Sequence, residues 1–384
     1  MYTIYADNQL LHCPLYAESG YVVINPVLTE QLNTTGSLEF SIAPNNPFYE
    51  ALEERKTKIK VVSDTNGSVV WFGRVMEAER GWNNVRKIWC EGEMGCMNDS
   101  IFRPYGYTGT ISGLLSNLIQ NYNDSNTGGY TFALGNVSVT DPNNNIVRSS
   151  SLAESVLKVM QTKLPQSSLG GYLMPRYDPS TDTHYIDYLR LDDTDPYAVE
   201  STQTVEFGKN LLDFVRHADS TGIITVLIPY GAQYKPDDPN YQADPPTNGT
   251  WSGNRLTIEA ANNGRDYIEN SVGVASWGRI VGSKTWDDVT IASNLKDKAT
   301  AWLDKQISES ITVEISAVDL SYINADIEQI QLGQFVRVIS KPHSVNVQMV
   351  CTQKQTYLTK LEDSSIVLGV GIKALTDYVQ KEAD

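Results

Sequence analysis

Apolar and polar residues alternate most clearly near the two ends of the chain. Ser37-Leu38-Glu39-Phe40-Ser41-Ile42 and Ile311-Thr312-Val313-Glu314-Ile315-Ser316 each place an apolar side chain at every second position, as a strand with one buried face requires. Three further strand patterns follow the first of these: Lys58 to Asp64, Trp71 to Arg80 and Arg86 to Gly92. The second is followed by Phe335 to Lys341, Gln348 to Tyr357 and Ser365 to Gly371, in the same order. This repeat of pattern predicts two related small β-barrels in one chain. Three such chains would supply six barrels, enough for a ring.

Between the ends the period changes. Thr110 is placed to cap a helix in which Ile111, Leu114, Leu115, Leu118, Ile119 and Tyr122 share a face. Ser151-Leu152-Ala153-Glu154 reads as a capping box, with Leu152, Val156, Val159, Met160 and Leu164 as the stripe behind it. Strands over Tyr172 to Met174 and His184 to Leu189 complete an inserted α+β segment. Asn46-Pro47 predicts a short helix, Tyr21 to Ile24 a short strand and Ile223 to Pro229 another strand. A third helix is expected over 291–307, with Ile291, Leu295, Trp302, Leu303 and Ile307 on one face. Lys235 to Gly249 is too rich in Pro and Asp for regular structure and reads as an exposed loop. The expected fold class is therefore α+β, mainly β. A first β-barrel covers 1–99 and an α+β domain 100–205. A second β-barrel takes 206–260 with 309–384, ending in a polar tail from Thr376 to Asp384. A loop and helix fill 261–308.

Composition narrows the function. Of 384 residues, 41% are hydrophobic, enough for a large core, yet no run is apolar for the length of a membrane span. No basic stretch followed by an apolar one opens the chain, so a soluble protein without a standard secretion signal is expected. Cys13, Cys90, Cys96 and Cys351 form no C-x-x-C and fit small buried hydrophobes in a reducing cytosol. The net charge of −16 carries no basic run, unlike a duplex-DNA binder. It serves solubility, or a surface that must not hold a passing polyanion. Tyrosines number 21 against 8 phenylalanines, which suits half-exposed strands and subunit interfaces.

Catalytic patterns are missing. There is no H-E-x-x-H, no G-x-S-x-G, no phosphate-binding loop and no dinucleotide fingerprint. Gly369-Val370-Gly371 lacks a third glycine. His12, His184, His217 and His343 are scattered, and His343 follows Pro342 in a turn. Asp192-Asp193-Thr194-Asp195 lacks the remaining ligands of a calcium loop. Carboxylate pairs would meet only in space. No catalytic, cofactor-binding or metal residue is assigned, no cofactor is expected, and the chain is not expected to be an enzyme. Trp71, Trp82, Trp89, Trp277, Trp286 and Trp302 read as packing residues. Trp251 and Tyr241, beside the long loop, are the candidates for a glycan surface.

Six strings carry a resemblance. They are Trp89-Cys90-Glu91-Gly92-Glu93, Asp99-Ser100-Ile101-Phe102-Arg103-Pro104-Tyr105, Val205-Glu206-Phe207-Gly208-Lys209-Asn210-Leu211-Leu212-Asp213, Thr225-Val226-Leu227-Ile228-Pro229-Tyr230-Gly231-Ala232, Gly264-Arg265-Asp266-Tyr267-Ile268-Glu269 and Ile330-Gln331-Leu332-Gly333-Gln334-Phe335-Val336-Arg337-Val338. Together they resemble the phage minor structural proteins of Firmicutes siphophages and prophages, the hub region of tail-associated lysin or prophage endopeptidase tail proteins. The resemblance implies a fold like the baseplate hub of contractile-tail phages. It implies a homotrimer with a pseudo-six-fold ring that joins the distal tail protein ring to a three-fold tail tip. DNA and a tape-measure protein would pass through without specific binding, and a fibre or lysin component would be a further partner. The expected location is the virion tail tip, after assembly in the bacterial host cytoplasm, with no membrane insertion by this chain. Many relatives continue into a lytic or fibre domain, whereas this sequence stops at Asp384, so lysin activity is not carried over. The competing readings are a cell-wall-degrading tail hydrolase and a receptor- or glycan-binding tail protein.

Overall fold

The computed structural model describes residues 1–370 apart from 127, 142, 143, 168, 193, 219–221, 245–251, 310, 325 and 344. Two compact units result, Met1–Phe214 with Ile315–Gly369, and one built on Val215–Glu314.

The first unit begins with seven strands: β1 (Tyr2–Ala6), β2 (Gln9–His12), β3 (Ile24–Gln31), β4 (Ser37–Ile42), β5 (Lys58–Ser63), β6 (Val69–Arg80) and β7 (Arg86–Gly92). Alternation works as expected: Leu38, Phe40 and Ile42 of β4 face inward and pack with Ile59, Val61, Val75 and Ile88. The expected strand over Tyr21 to Ile24 starts only at Ile24. The expected helix at Asn46-Pro47 is a run of turns instead. Asn46 Oδ1 accepts from the Phe48 N–H, but its Nδ2 donates to the carbonyls of Leu11 and Val22, tying the turn to two other segments. Arg55, at φ +63°, leaves helical geometry altogether.

Next come β8 (Ile101–Phe102), β9 (Tyr105–Gly109), α1 (Ile111–Ser125), β10 (Phe132–Val137), β11 (Ile146–Ser150), β12 (Glu154–Ser155), α2 (Val156–Lys163), β13 (Tyr172–Asp178) and β14 (Thr183–Leu189). Thr110 caps α1, its Oγ1 accepting from the Gly113 N–H, and the whole predicted stripe of α1 is buried. α2 starts later than the Ser151 box predicts. Glu154 and Ser155 pair with Phe102 and Ile101, so Ser155 becomes the cap and Leu152 is left exposed. β10 and β13 flank β14, the first parallel to it and the second antiparallel. This α+β segment shares its core with Met94, Cys96 and Met97 of the preceding turn and belongs to the same compact unit as the first strands.

Six more strands complete the main sheet: β15 (Glu200–Glu206), β16 (Leu211–Ala218) and, after the second unit, the strands numbered last below. The second unit holds β17 (Val226–Tyr230), β18 (Ile268–Glu269), α3 (Ser271–Trp277), β19 (Val281–Thr285) and α4 (Ala292–Glu309). β17 lies between β18 and β19 in a separate three-stranded sheet, and Leu227 packs on Ala299 and Leu303 of α4. Then follow β20 (Ile311–Ala317), β21 (Phe335–Ser340), β22 (Val345–Tyr357) and β23 (Ser365–Val370). The expected second barrel over 206–260 with 309–384 thus differs from the structure. Residues 226–230 find their partners at 268–269 and 281–285, β15 joins the main sheet from before residue 206, and 215–314 forms its own unit. The helix expected over 291–307 is α4.

The strand order in the main sheet repeats. One half reads β3-β4-β7-β6-β5-β1 and the other β16-β20-β23-β22-β21-β15. The halves join where β22 pairs antiparallel with β3. One strand breaks the repeat: β1 runs antiparallel to β5, but β15 runs parallel to β21. Among the described residues the pairings run from β2 to β16 with β21 and β15 branching off β22, and neither half closes as a hydrogen-bonded barrel.

Candidate functional site

A cleft of about 660 Å³ opens in the first unit. One wall is the turn after β3, where Asn33 (φ +64°) and Gly36 (φ +69°) take left-handed conformations. The start of β6 supplies Trp71 and Phe72, and the segment before β21 supplies Tyr322 and Gln329. Gln329 Nε2 donates to the hydroxyls of Tyr2 (3.1 Å) and Tyr322 (3.2 Å). Burial pushes the Tyr2 hydroxyl up to about 12. Burial also raises the carboxyl of Glu30, against the opposing pull of Lys354, its register partner on β22. For Lys354, burial lowers the ammonium value, but Glu30 and the tyrosines around it outweigh that and hold it above the usual lysine range.

Deeper in the same unit lie two charged clusters. Arg74, buried on β6, binds Glu91 at 2.6 Å and also Asp99, which in turn binds Arg55 at 2.8 Å. Burial raises the Asp99 carboxyl, but Arg74 and Arg55 together hold it below the ordinary range. Glu93 Oε2 lies 2.5 Å from His184 Nδ1 without the alignment of a hydrogen bond. Burial, opposed by His184, pushes the Glu93 carboxyl up. Rings of Phe72, Tyr130 and Tyr177 surround the imidazole at 4.7, 5.1 and 5.0 Å. These groups lock strands to the α+β segment, and Tyr130 adds a hydroxyl bond to the Gly73 carbonyl.

The residues singled out by sequence do not converge. All four cysteines are buried free thiols, and burial pushes Cys96 up to about 11 and Cys351 to about 12, far from a reactive thiolate. His12 Nδ1 accepts from the Val23 N–H, and burial lowers its basicity. His217 falls in β16. His343 sits in its turn, 2.6 Å from Ser340 Oγ and stacked on Phe214. Asp192 caps Thr194, and Asp195 accepts from Ser138 Oγ and the Leu191 and Tyr197 N–H groups, so both carboxylates are used locally. Among the described residues no three His, Cys, Asp or Glu side chains are grouped to hold a metal. Trp82, read as a packing residue, is fully exposed at the β6–β7 turn. Tyr241 is half-buried, and Trp251 lies outside the described residues. Sequence reasoning missed the cleft because its walls come from residues near 2, 30, 71 and 329, which no spacing connects. Exposed apolar side chains form the other candidate contacts: Ile101, Val147 and Leu152 on the α+β segment, and Phe207 and Leu212 at the β15–β16 turn and the following edge strand.

Residues 199–379 match the family model of the prophage endopeptidase tail. The tail protein of Neisseria meningitidis MC58 has a similar structure, with a TM-score of 0.61, 13% identity, and 98% of this chain and 99% of that one covered. So has the 43 kDa tail protein of prophage MuSo2 from Shewanella oneidensis (TM-score 0.59, 10% identity, 96% and 97% covered). The prophage tail protein gp18 of Listeria monocytogenes EGD-e is a third (TM-score 0.54, 12% identity, 94% and 92% covered). No curated protein matches the chain. Residues 199–379 are thus similar to the prophage endopeptidase tail family, and over nearly its whole length the chain has the fold of prophage tail proteins.

Proposed function

We propose that this chain is a structural hub protein of a phage or prophage tail tip. Three copies form a ring that meets the distal tail protein ring, surrounds the path of the tape-measure protein and DNA, and carries a fibre or lysin component. The observation that carries this reading is the repeated strand order within one chain of prophage-tail fold. Two like halves per chain give a trimer six similar wall segments, which a ring between six-fold and three-fold symmetry needs. The halves act as two barrel-like walls completed by neighbouring copies. The protein assembles in the bacterial host and works at the virion tail tip, as a part of the particle and not as an enzyme.

Mass in solution tests the ring. Three times 42.6 kDa is expected, with ring-shaped particles by electron microscopy. A strict monomer at high micromolar concentration, alone and with the distal tail protein, would overturn the proposal. The non-enzymatic part is tested with purified peptidoglycan. Release of soluble fragments that stops when one carboxylate or Cys90 is replaced would refute it.

A further inference from the structure

We infer that the cleft between the Gln31–Gly36 turn and the 321–332 segment is a binding site for a neutral saccharide. Its volume of about 660 Å³ falls within the range of about 300–1,000 Å³ usual for small-molecule sites. Trp71 lines it, is only 8% exposed, and donates no hydrogen bond among the described residues. The indole nitrogen lies beside Gly36 and Gly92, where an added Cβ would stand 3.5 and 3.4 Å from it. A ligand oxygen would give that N–H an acceptor. Glu30 lines the same cleft, opposite Lys354 on β22. The Tyr2–Gln329–Tyr322 chain adds hydroxyl and amide groups that both donate and accept.

The lining also rules against other ligand classes. Its one cationic side chain is Arg176, which Asp187 holds at 2.7 Å; the Met1 α-ammonium is the other cationic group, and the carboxylates of Asp326 and Glu328 in the same lining offset it against a phosphate. A basic peptide would need anionic floor groups. Burial disfavours the charged forms of Glu30 and Glu93, while Asp326 and Glu328 stand exposed at the rim, where water and salt screen them. What remains is a neutral site with donors, acceptors and aromatic surface. A sugar ring presents hydroxyls at its edge and C–H groups on its faces, and it fits that description. The site lies wholly within the first unit and does not depend on the hub reading.

Saturation-transfer NMR and calorimetry on the full chain test this, with N,N′-diacetylchitobiose, cellobiose and maltose as probes. Binding of at least one is expected, with a Kd on the order of 0.1–1 mM. Trp71→Phe keeps a ring and removes the N–H, and it should raise that Kd about three- to tenfold. Gln329→Ala should weaken binding in the same direction, and it decides the matter if Trp71→Phe does not fold. No binding of any probe at millimolar concentration would overturn the site. So would binding that both folded variants leave unchanged. Tighter binding of tetralysine or inorganic phosphate at the same place would overturn the assignment to neutral saccharides.

Discussion

Arg74 shows what a single residue carries here. It is 6% exposed, and Glu91, its partner, is 7% exposed. Two charges taken out of water are stable only together, so removing one should cost about 3–5 kcal/mol. Arg74→Ala should lower the urea unfolding free energy by that amount, whereas Arg74→Met with Glu91→Leu should recover most of it. Asp99 ties the same cluster to pH. Its folded carboxyl is held below the unfolded value. The stability it adds is therefore present above about pH 4 and is lost as pH falls through the lower, folded value. Asp99→Asn should be destabilising at pH 7 and nearly neutral at about pH 2, read from urea midpoints at both. None of this was legible in the sequence. Arg74 and Val75 are successive, regularly paired residues of β6, and both are buried because Val75 packs into the strand core while Arg74 meets Glu91 and Asp99, so alternation alone would place one of them in water.

At the scale of elements, legibility followed from whether a segment's own side chains decide its structure. α1 was readable because its stripe is complete and its cap is local. Thr110→Ala should therefore cost about 1 kcal/mol, measured by urea denaturation, with Thr110→Ser close to the parent. The start of α2 departs from its capping box because Glu154 and Ser155 are drawn into pairing with β8, a partner some fifty residues away that no local pattern announces. The turns at Asn46 failed for the same reason, since an amide that caps well also bridges Leu11 and Val22. Strands β4, β5, β21 and β23 were found because one face of each is buried. The cleft was not legible at this scale, since it lies in the space between elements and not in any of them.

For the whole molecule, the sequence carried the repeat but not the division into units. Alternation in β17 reads the same whether its partners are β18 and β19 or the main sheet, so the pattern alone does not separate 226–230 from the second half of that sheet. The parallel pairing of β15 with β21 was equally hidden, because direction leaves no trace in a strand's own pattern. Charge is the property of the whole that bears most directly on function. Three copies would carry three times the chain's −16. Every phosphate neutralised by Lys or Arg releases counterions and adds affinity, so in the proposed ring a basic wall would retain a genome passing through it. An acidic wall repels it over about 8 Å at physiological ionic strength. The assembled protein should accordingly show no measurable affinity for duplex DNA at about 150 mM salt by filter binding or anisotropy. Its lumen-facing residues, mapped on the assembled ring, should hold more Asp and Glu than Lys and Arg. A basic inner wall inside an acidic exterior would mean that the charge serves solubility alone, and the repulsive conduit would fall while the ring itself stood.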